Sequence, residues 1–130
     1  MDKTEFWRFL AEWMAALLPT ASRRPVIVGL GAAQGAGKTT LTGAVRTMLA
    51  ERGIRAAALS IDDFYLTRAE QVALAAANPG NRYLQQRGLP GTHDLALGTR
   101  TLERLRGLRT GGSVALPAYD KSAFSGRGDR

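Results

Sequence analysis

Cysteine is absent from the 130-residue chain. Disulfides and thiolate metal centres are thereby excluded, and a small secreted fold stapled by cross-links is disfavoured. Lysine is scarce: of the 18 basic residues only Lys3, Lys38 and Lys121 are lysines, and the rest are arginines. Histidine occurs once, at His93. No apolar run approaches the ~18 uncharged residues of a membrane-crossing helix. No internal repeat is visible.

What is present is ordinary for a globular protein. Hydrophobic residues make up 45% and charged residues 22%, which argues against wholesale disorder, coiled coil and collagen. The length suits one domain at most, able to bury roughly two-thirds of its unfolded surface. Against 18 basic residues stand 11 acidic ones, a net charge of +7. Such a balance suits nucleic acid, anionic lipid or phosphorylated small molecules. The arginines are scattered and no aromatic-interleaved basic stripe appears, so a nucleic-acid surface is not expected.

The N-terminus carries apolar residues at 6, 9, 10, 13, 14, 17 and 18, a helical spacing. Glu5, Arg8 and Glu12 interrupt it, so it lacks the uncharged core of a signal peptide. The expectation is an amphipathic helix over residues 1–21 packed on the domain, not a membrane-surface helix, in a cytoplasmic protein. The segment from Pro19 to Pro25 reads as a short linker. Val26-Ile27-Val28-Gly29-Leu30 has the continuous β-branched character of a strand buried on both faces. A small, glycine-rich loop follows from Gly31 to Gly37. Lys38 to Arg52 then predicts a helix with Leu41, Val45, Met48 and Leu49 on one stripe. Ala56 to Ile61 is a second apolar run. The order strand, loop, helix, strand is a βαβ unit with parallel strands. Further on, helices are expected from Thr67 to Ala77 and around Leu102, Leu105 and Leu108, the latter capped by Asp94 or Thr99. Arg82 to His93 reads as loop, and Val114-Ala115-Leu116 as a short strand.

The sharpest signal is Ala32-Ala33-Gln34-Gly35-Ala36-Gly37-Lys38-Thr39, a P-loop with Ala32 in place of the first glycine. Small residues let successive backbone N–H groups converge on phosphate oxygens. The helix that starts there adds its positive dipole end. Lys38 can reach the β- and γ-phosphates, the Thr39 hydroxyl can ligate Mg²⁺, and Thr40 is placed for an α-phosphate contact. The one departure puts a Cβ at Ala32 where none is usual.

Ser60-Ile61-Asp62-Asp63-Phe64-Tyr65 falls at the carboxyl end of the second apolar run, where open α/β sheets bind ligands. A carboxylate there can take the proton of an acceptor hydroxyl or help hold Mg²⁺. His93 serves as well in a structural role, so it is not assigned as the base. Arg87 reads as a surface residue. Arg127-Gly128-Asp129 spells an integrin-type tripeptide, a coincidence in a chain of this kind.

Through these segments the chain resembles the P-loop D-glycerate 3-kinases, relatives of the uridine kinase, phosphoribulokinase and pantothenate kinase group. Beyond the P-loop and Ser60 to Thr67, the resemblance rests on Ala77-Asn78-Pro79-Gly80-Asn81, on Arg87 to Leu95 with its His93-Asp94-Leu95, and on Leu116 to Arg130 with Tyr119-Asp120-Lys121-Ser122. It covers about residues 26–130. It implies an α/β fold, a P-loop kinase-type parallel sheet with flanking helices, over residues 22–130. It implies ATP and Mg²⁺ as cofactors and transfer of phosphate to the 3-hydroxyl of D-glycerate. By this resemblance, Asp62 is the catalytic base, with Lys38 as its catalytic partner. Residues 32–40, that is Ala32, Ala33, Gln34, Gly35, Ala36, Gly37, Lys38, Thr39 and Thr40, bind ATP, and Thr39 and Asp63 serve the metal, Asp63 through water. Asp94, Tyr119, Lys121 and Arg127 are the candidate acceptor contacts. Lys121, Arg127 and Arg130 form a cationic group suited to a carboxylate substrate. The rival readings are a related kinase with a uridine- or pantothenate-like acceptor, and a nucleotide-binding remnant without transfer activity. Kinases of this group run well past 130 residues, so the chain is expected to be the amino-terminal part of such an enzyme and a poor kinase alone.

Overall fold

The structure, a computed structural model, describes residues 2–18 and 24–130. Residues 19–23 of the expected Pro19 to Pro25 linker, and the expected domain boundary at residues 21–22, lie outside the described residues.

Helix α1 spans Lys3–Ala16. It starts because Asp2 and Glu5 cap each other's backbone: Asp2 Oδ1 accepts from Glu5 N at 2.8 Å and Glu5 Oε2 from Asp2 N at 2.9 Å. Helix α2 spans Lys38–Ala50. Its capping residue, Gly37, sits in the left-handed region at φ 81°, where a Cβ would be strained. The two helices pack through Ala11, Val45 and Leu49, all buried, with Leu10, Met14, Leu41, Met48 and Ile54 around them. Ala11 has no exposed surface, and its small side chain lets the helices come close. The α2 stripe is thus the one expected from its spacing. The α1 stripe is split. Leu10 and Met14 pack inward, whereas Phe6, Phe9, Trp13 and Leu17 remain 40–57% exposed. One partner helix cannot cover so wide an apolar arc.

The chain divides into two compact units, residues 1–58 with 106–112, and residues 59–105 with 113–130. The second contains helix α3, Arg68–Ala77, and most of helix α4, Leu95–Gly107. Thr67 and Glu70 form a reciprocal cap on α3, and the N–H of Leu97 donates to Asp94 Oδ1 at 2.8 Å at the start of α4. Of the two expected caps for α4, Asp94 is the one used. Single 3-10 turns occupy Ile61–Phe64 and Arg82–Leu84. The unit is laced by polar bonds: Gln71 Nε2 donates to the Leu84 carbonyl at 2.8 Å, and the fully buried Thr92 donates to the Leu89 carbonyl at 2.7 Å.

The expected parallel sheet is the main difference from the sequence reading. Among the described residues no strand forms. The β contacts are two isolated antiparallel bridges, Tyr65 with His93 and Asp120 with Asp129. Val26, Ile27, Val28 and Leu30 are 37–43% exposed, Ile61 is 72% exposed and opens a 3-10 turn, and residues 114–116 are unpaired. The reason is physical. β-branched residues favour extended backbone locally, but a strand exists only when a neighbour accepts its ladder of hydrogen bonds. No described segment exchanges a ladder of backbone hydrogen bonds with these runs. Among the described residues no helix is long and apolar enough to cross a membrane.

Candidate functional site

The first unit carries the glycine-rich loop. Residues 31–37 are exposed, and the N–H of Ala36 donates to the Ala33 carbonyl at 3.2 Å, closing a tight turn. Gly35 and Gly37 both have positive φ, 79° and 81°. The first hydrogen bond of α2 runs from Leu41 N to Gly37 O at 2.9 Å, so the N–H groups of Lys38, Thr39 and Thr40 precede any helical partner. No acidic residue stands in the first turn. The positive end of the helix is therefore uncompensated, which suits an anion. Lys38 Nζ donates to the carbonyls of Ala32 at 2.7 Å and Ala33 at 2.8 Å. That holds the loop's shape and uses two of three ammonium protons, leaving the third for a ligand. Ala32 is accommodated with its carbonyl turned to Lys38. The hydroxyl-bearing Thr39 and Thr40 are exposed at the helix start.

The second unit gathers the acidic and aromatic candidates. Ser60 and Asp63 cap the Ile61–Phe64 turn reciprocally, with Ser60 N donating to Asp63 Oδ2 at 2.8 Å. The other Asp63 oxygen accepts from Tyr119 N at 3.3 Å. Asp63 therefore ties the 116–130 segment to this turn. Each oxygen keeps a second lone pair, so contact with a hard cation through water is compatible with these bonds. Among the described residues no group of three or more His, Asp and Glu side chains is arranged to hold a metal by itself. The Thr39 hydroxyl in the first unit and the Asp63 carboxylate in the second are each oxygen donors, the ligand type that Mg²⁺ takes.

Asp62 points elsewhere. Its Oδ2 lies 2.6 Å from Lys121 Nζ. That hydrogen bond is the main reason its carboxyl is held below the usual 3.8, against partial burial, with the Tyr65 hydroxyl assisting. The side chains are 29% and 61% exposed, so solvent screens the pair and it contributes only ~0–1 kcal/mol. Tyr65 is buried between two rings. His93 stacks on it at 4.3 Å between centroids, and Tyr119 meets it edge-on at 5.3 Å. Burial first, and then Asp62, push the Tyr65 hydroxyl above 10.0. The Nε2 of His93 is buried with no protein partner.

The segment after Tyr119 is a reversal. Phe124 and Ser125 adopt left-handed backbone, φ 50° and 57°, and the chain returns so that Asp120 and Asp129 exchange backbone hydrogen bonds at 2.8 and 3.0 Å. Arg87 donates to the carbonyls of Gly126 and Arg127 and lies over the Tyr119 ring. Asp129 Oδ1 accepts from Arg68 N at 2.7 Å, at the start of α3. The Arg127-Gly128-Asp129 tripeptide is thus built into the fold.

These contacts redistribute the expected acceptor residues. Asp62, Tyr119 and Lys121 come together around Tyr65. Asp94 does not join them through its carboxylate: Oδ1 caps α4, and Oδ2 accepts from Arg130 at 3.2 Å. The Leu97 N–H, more than Arg130, holds Asp94 below 3.8. Nor do Lys121, Arg127 and Arg130 form one cationic group. Lys121 pairs with Asp62, Arg130 with Asp94 and, at 3.8 Å, Glu70, while the Arg127 side chain is exposed and makes no protein hydrogen bond among the described residues. Tyr65 and Gly128 were given no role from sequence, and Arg87, read there as a surface residue, is instead bonded to the 126–127 carbonyls. Tyr65 carried a signal there, as the aromatic that closes the Asp62-Asp63-Phe64-Tyr65 run.

No protein-family model matches the chain. It is 47% identical over 107 residues to the chloroplastic D-glycerate 3-kinase of Arabidopsis thaliana, which covers 82% of this chain and 24% of that protein. It is 36% identical over 128 residues to the probable ATP-dependent kinase TDA10 of Saccharomyces cerevisiae, 94% of this chain and 44% of that protein. The solved D-glycerate 3-kinase of Cryptococcus neoformans superposes with a TM-score of 0.77 at 37% identity, over 98% of this chain and 44% of that one. The chain thus spans less than half the length of these relatives. The resemblance carried by the P-loop and by the Asn-Pro-Gly-Asn, His-Asp-Leu and Tyr-Asp-Lys-Ser segments is borne out in sequence and in backbone course: this chain is similar, over most of its length, to a part of the D-glycerate 3-kinases.

Proposed function

We propose that the chain serves ATP-dependent phosphorylation of D-glycerate at its 3-hydroxyl. The observation that carries this reading is the uncompensated helix start at Gly37–Thr40 with Lys38 above the loop carbonyls, in a chain 47% identical to a D-glycerate 3-kinase. The loop residues 32–40 bind the nucleotide phosphates through backbone N–H groups and the free proton of Lys38. Asp62 takes the proton of the acceptor hydroxyl as that oxygen bonds the γ-phosphorus and ADP leaves. Mg²⁺, when bound, neutralises phosphate charge, with Thr39 as a ligand and Asp63 acting through water. Tyr119 and Lys121 bound the acceptor site on the side of Asp62, and the unpartnered Nε2 of His93 is available for an acceptor hydroxyl. Asp94 and Arg127, expected at this site, serve it indirectly in this reading, Asp94 by starting α4 and Arg127 by its backbone carbonyl.

The reading carries with it the parallel sheet of a P-loop kinase, with the runs Val26 to Leu30 and Ala56 to Ile61 as strands once neighbours are available. The backbone similarity to the Cryptococcus enzyme supports this. It keeps the cytoplasmic setting read from the charged N-terminal helix. An acceptor panel tests it: D-glycerate should be phosphorylated faster than uridine, pantothenate or ribulose 5-phosphate. Faster transfer to a nucleoside than to glycerate would overturn the assignment.

A further inference from the structure

Lys121 occupies an oxygen of Asp62 in the structure, and this has a consequence for which acceptors can react. An ammonium 2.6 Å from Asp62 Oδ2 stabilises the ionised carboxylate and so makes Asp62 a poorer acceptor for a hydroxyl proton. The backbone on both sides of the pair is fixed. Asp62 sits in the capped 3-10 turn, and the Lys121 segment is held by Tyr119 N on Asp63 and by the Asp120–Asp129 bridge. The lysine side chain is not fixed. It is 61% exposed, and among the described residues Asp62 is its hydrogen-bond partner without a second. A pair so placed opens at little cost when another anion is offered.

We infer that Lys121 is a specificity-determining residue that trades its bond to Asp62 for the carboxylate of the acceptor, so that binding a hydroxy acid releases the base from the ammonium. The inference rests on the acceptor reading given above and deepens it. A hydroxy acid brings its own carboxylate, and the ammonium keeps an anionic partner through the exchange. A neutral polyol brings none, leaves Lys121 on Asp62, and meets a base weakened by the ammonium. Discrimination between glycerate and glycerol is then built into one contact. It needs no steric exclusion of glycerol, which is the smaller molecule. Exposure of Lys121 favours this over a fixed structural tie, because a solvent-screened pair can be exchanged without leaving a buried charge behind.

The test uses the scarcity of lysine. With ¹⁵N-lysine label, Lys3, Lys38 and Lys121 give three ammonium signals, and Lys3 is an internal control. D-glycerate should move the Lys121 signal and the ¹³C carboxylate signal of Asp62, while glycerol at the same concentration moves neither. Lys121→Met should weaken glycerate binding about tenfold or more, to near the level of glycerol, and Lys121→Arg should restore most of it. The substituted side chain is mostly exposed, so both variants should fold, as their backbone amide spectra would report. Glycerate that binds at Tyr119 with the Lys121 and Asp62 signals unmoved, or that binds Lys121→Met as tightly as the wild type, would overturn the exchange while leaving the acceptor reading in place. Failure of the wild type to bind glycerate at all would overturn the acceptor reading itself, and the exchange with it.

Discussion

Gly128 shows how much of a site can hang on one missing methyl group. A Cβ built there would lie 2.4 Å from Tyr119 Cε1, 2.6 Å from its hydroxyl and 2.7 Å from Arg87 Nη1, at a φ of 81°. The Arg87 guanidinium can swing aside, but the Tyr119 ring is wedged against Tyr65. Gly128→Ala should therefore add overpacking of ~1–3 kcal/mol to a left-handed backbone cost of ~1–2 kcal/mol. Gly35→Ala faces open space and carries the backbone cost alone. Urea unfolding of the two variants checks the order, and equal losses would contradict the described packing around Tyr119. At this scale the tight glycine-rich loop before α2 was legible in the sequence because it depends on near neighbours in the chain. The partners of Asp94 and Lys121 were not. They depend on the reversal at Phe124 and Ser125, two non-glycine residues in left-handed backbone that no spacing rule announces.

At the scale of elements, period and caps told most of the story. The Leu41, Val45, Met48 and Leu49 stripe packs as its spacing predicts, and the Thr67 and Glu70 spacing marks the start of α3. Leu49→Ala removes a side chain only 6% exposed and should cost about 2–4 kcal/mol. Phe9→Ala, at a position 57% exposed, should stay within about 0.5 kcal/mol. Chemical unfolding reads both, and a loss at Phe9 as large as that at Leu49 would mean the outer face of α1 is buried in solution. The expected strands fared differently, because their existence is a non-local property. Val26-Ile27-Val28 states a preference for extended backbone, but its hydrogen-bond partners must come from elsewhere.

For the whole molecule, part of the basic balance is taken up by contacts inside the chain. The arginines with assigned contacts act within the fold: Arg52 on Glu12, Arg87 on the 126–127 carbonyls, Arg130 on Asp94. In the proposed function the cation that meets phosphate is Lys38. Lys38→Ala should weaken ATP–Mg²⁺ binding about tenfold or more by calorimetry, the worth of one charge-assisted contact of ~1.5–3 kcal/mol. Unchanged affinity would remove the loop from the account. The division of labour between that loop and Asp62 is the central claim, and one comparison tests it most directly. Phosphoryl transfer from ATP to D-glycerate and ATP–Mg²⁺ affinity are measured side by side for the wild type and Asp62→Asn. The account predicts a turnover lower by ~10²–10⁴ in the variant, with nucleotide affinity within about twofold of the wild type. A collapse of ATP–Mg²⁺ binding in Asp62→Asn, or turnover equal to that of the wild type, would contradict it.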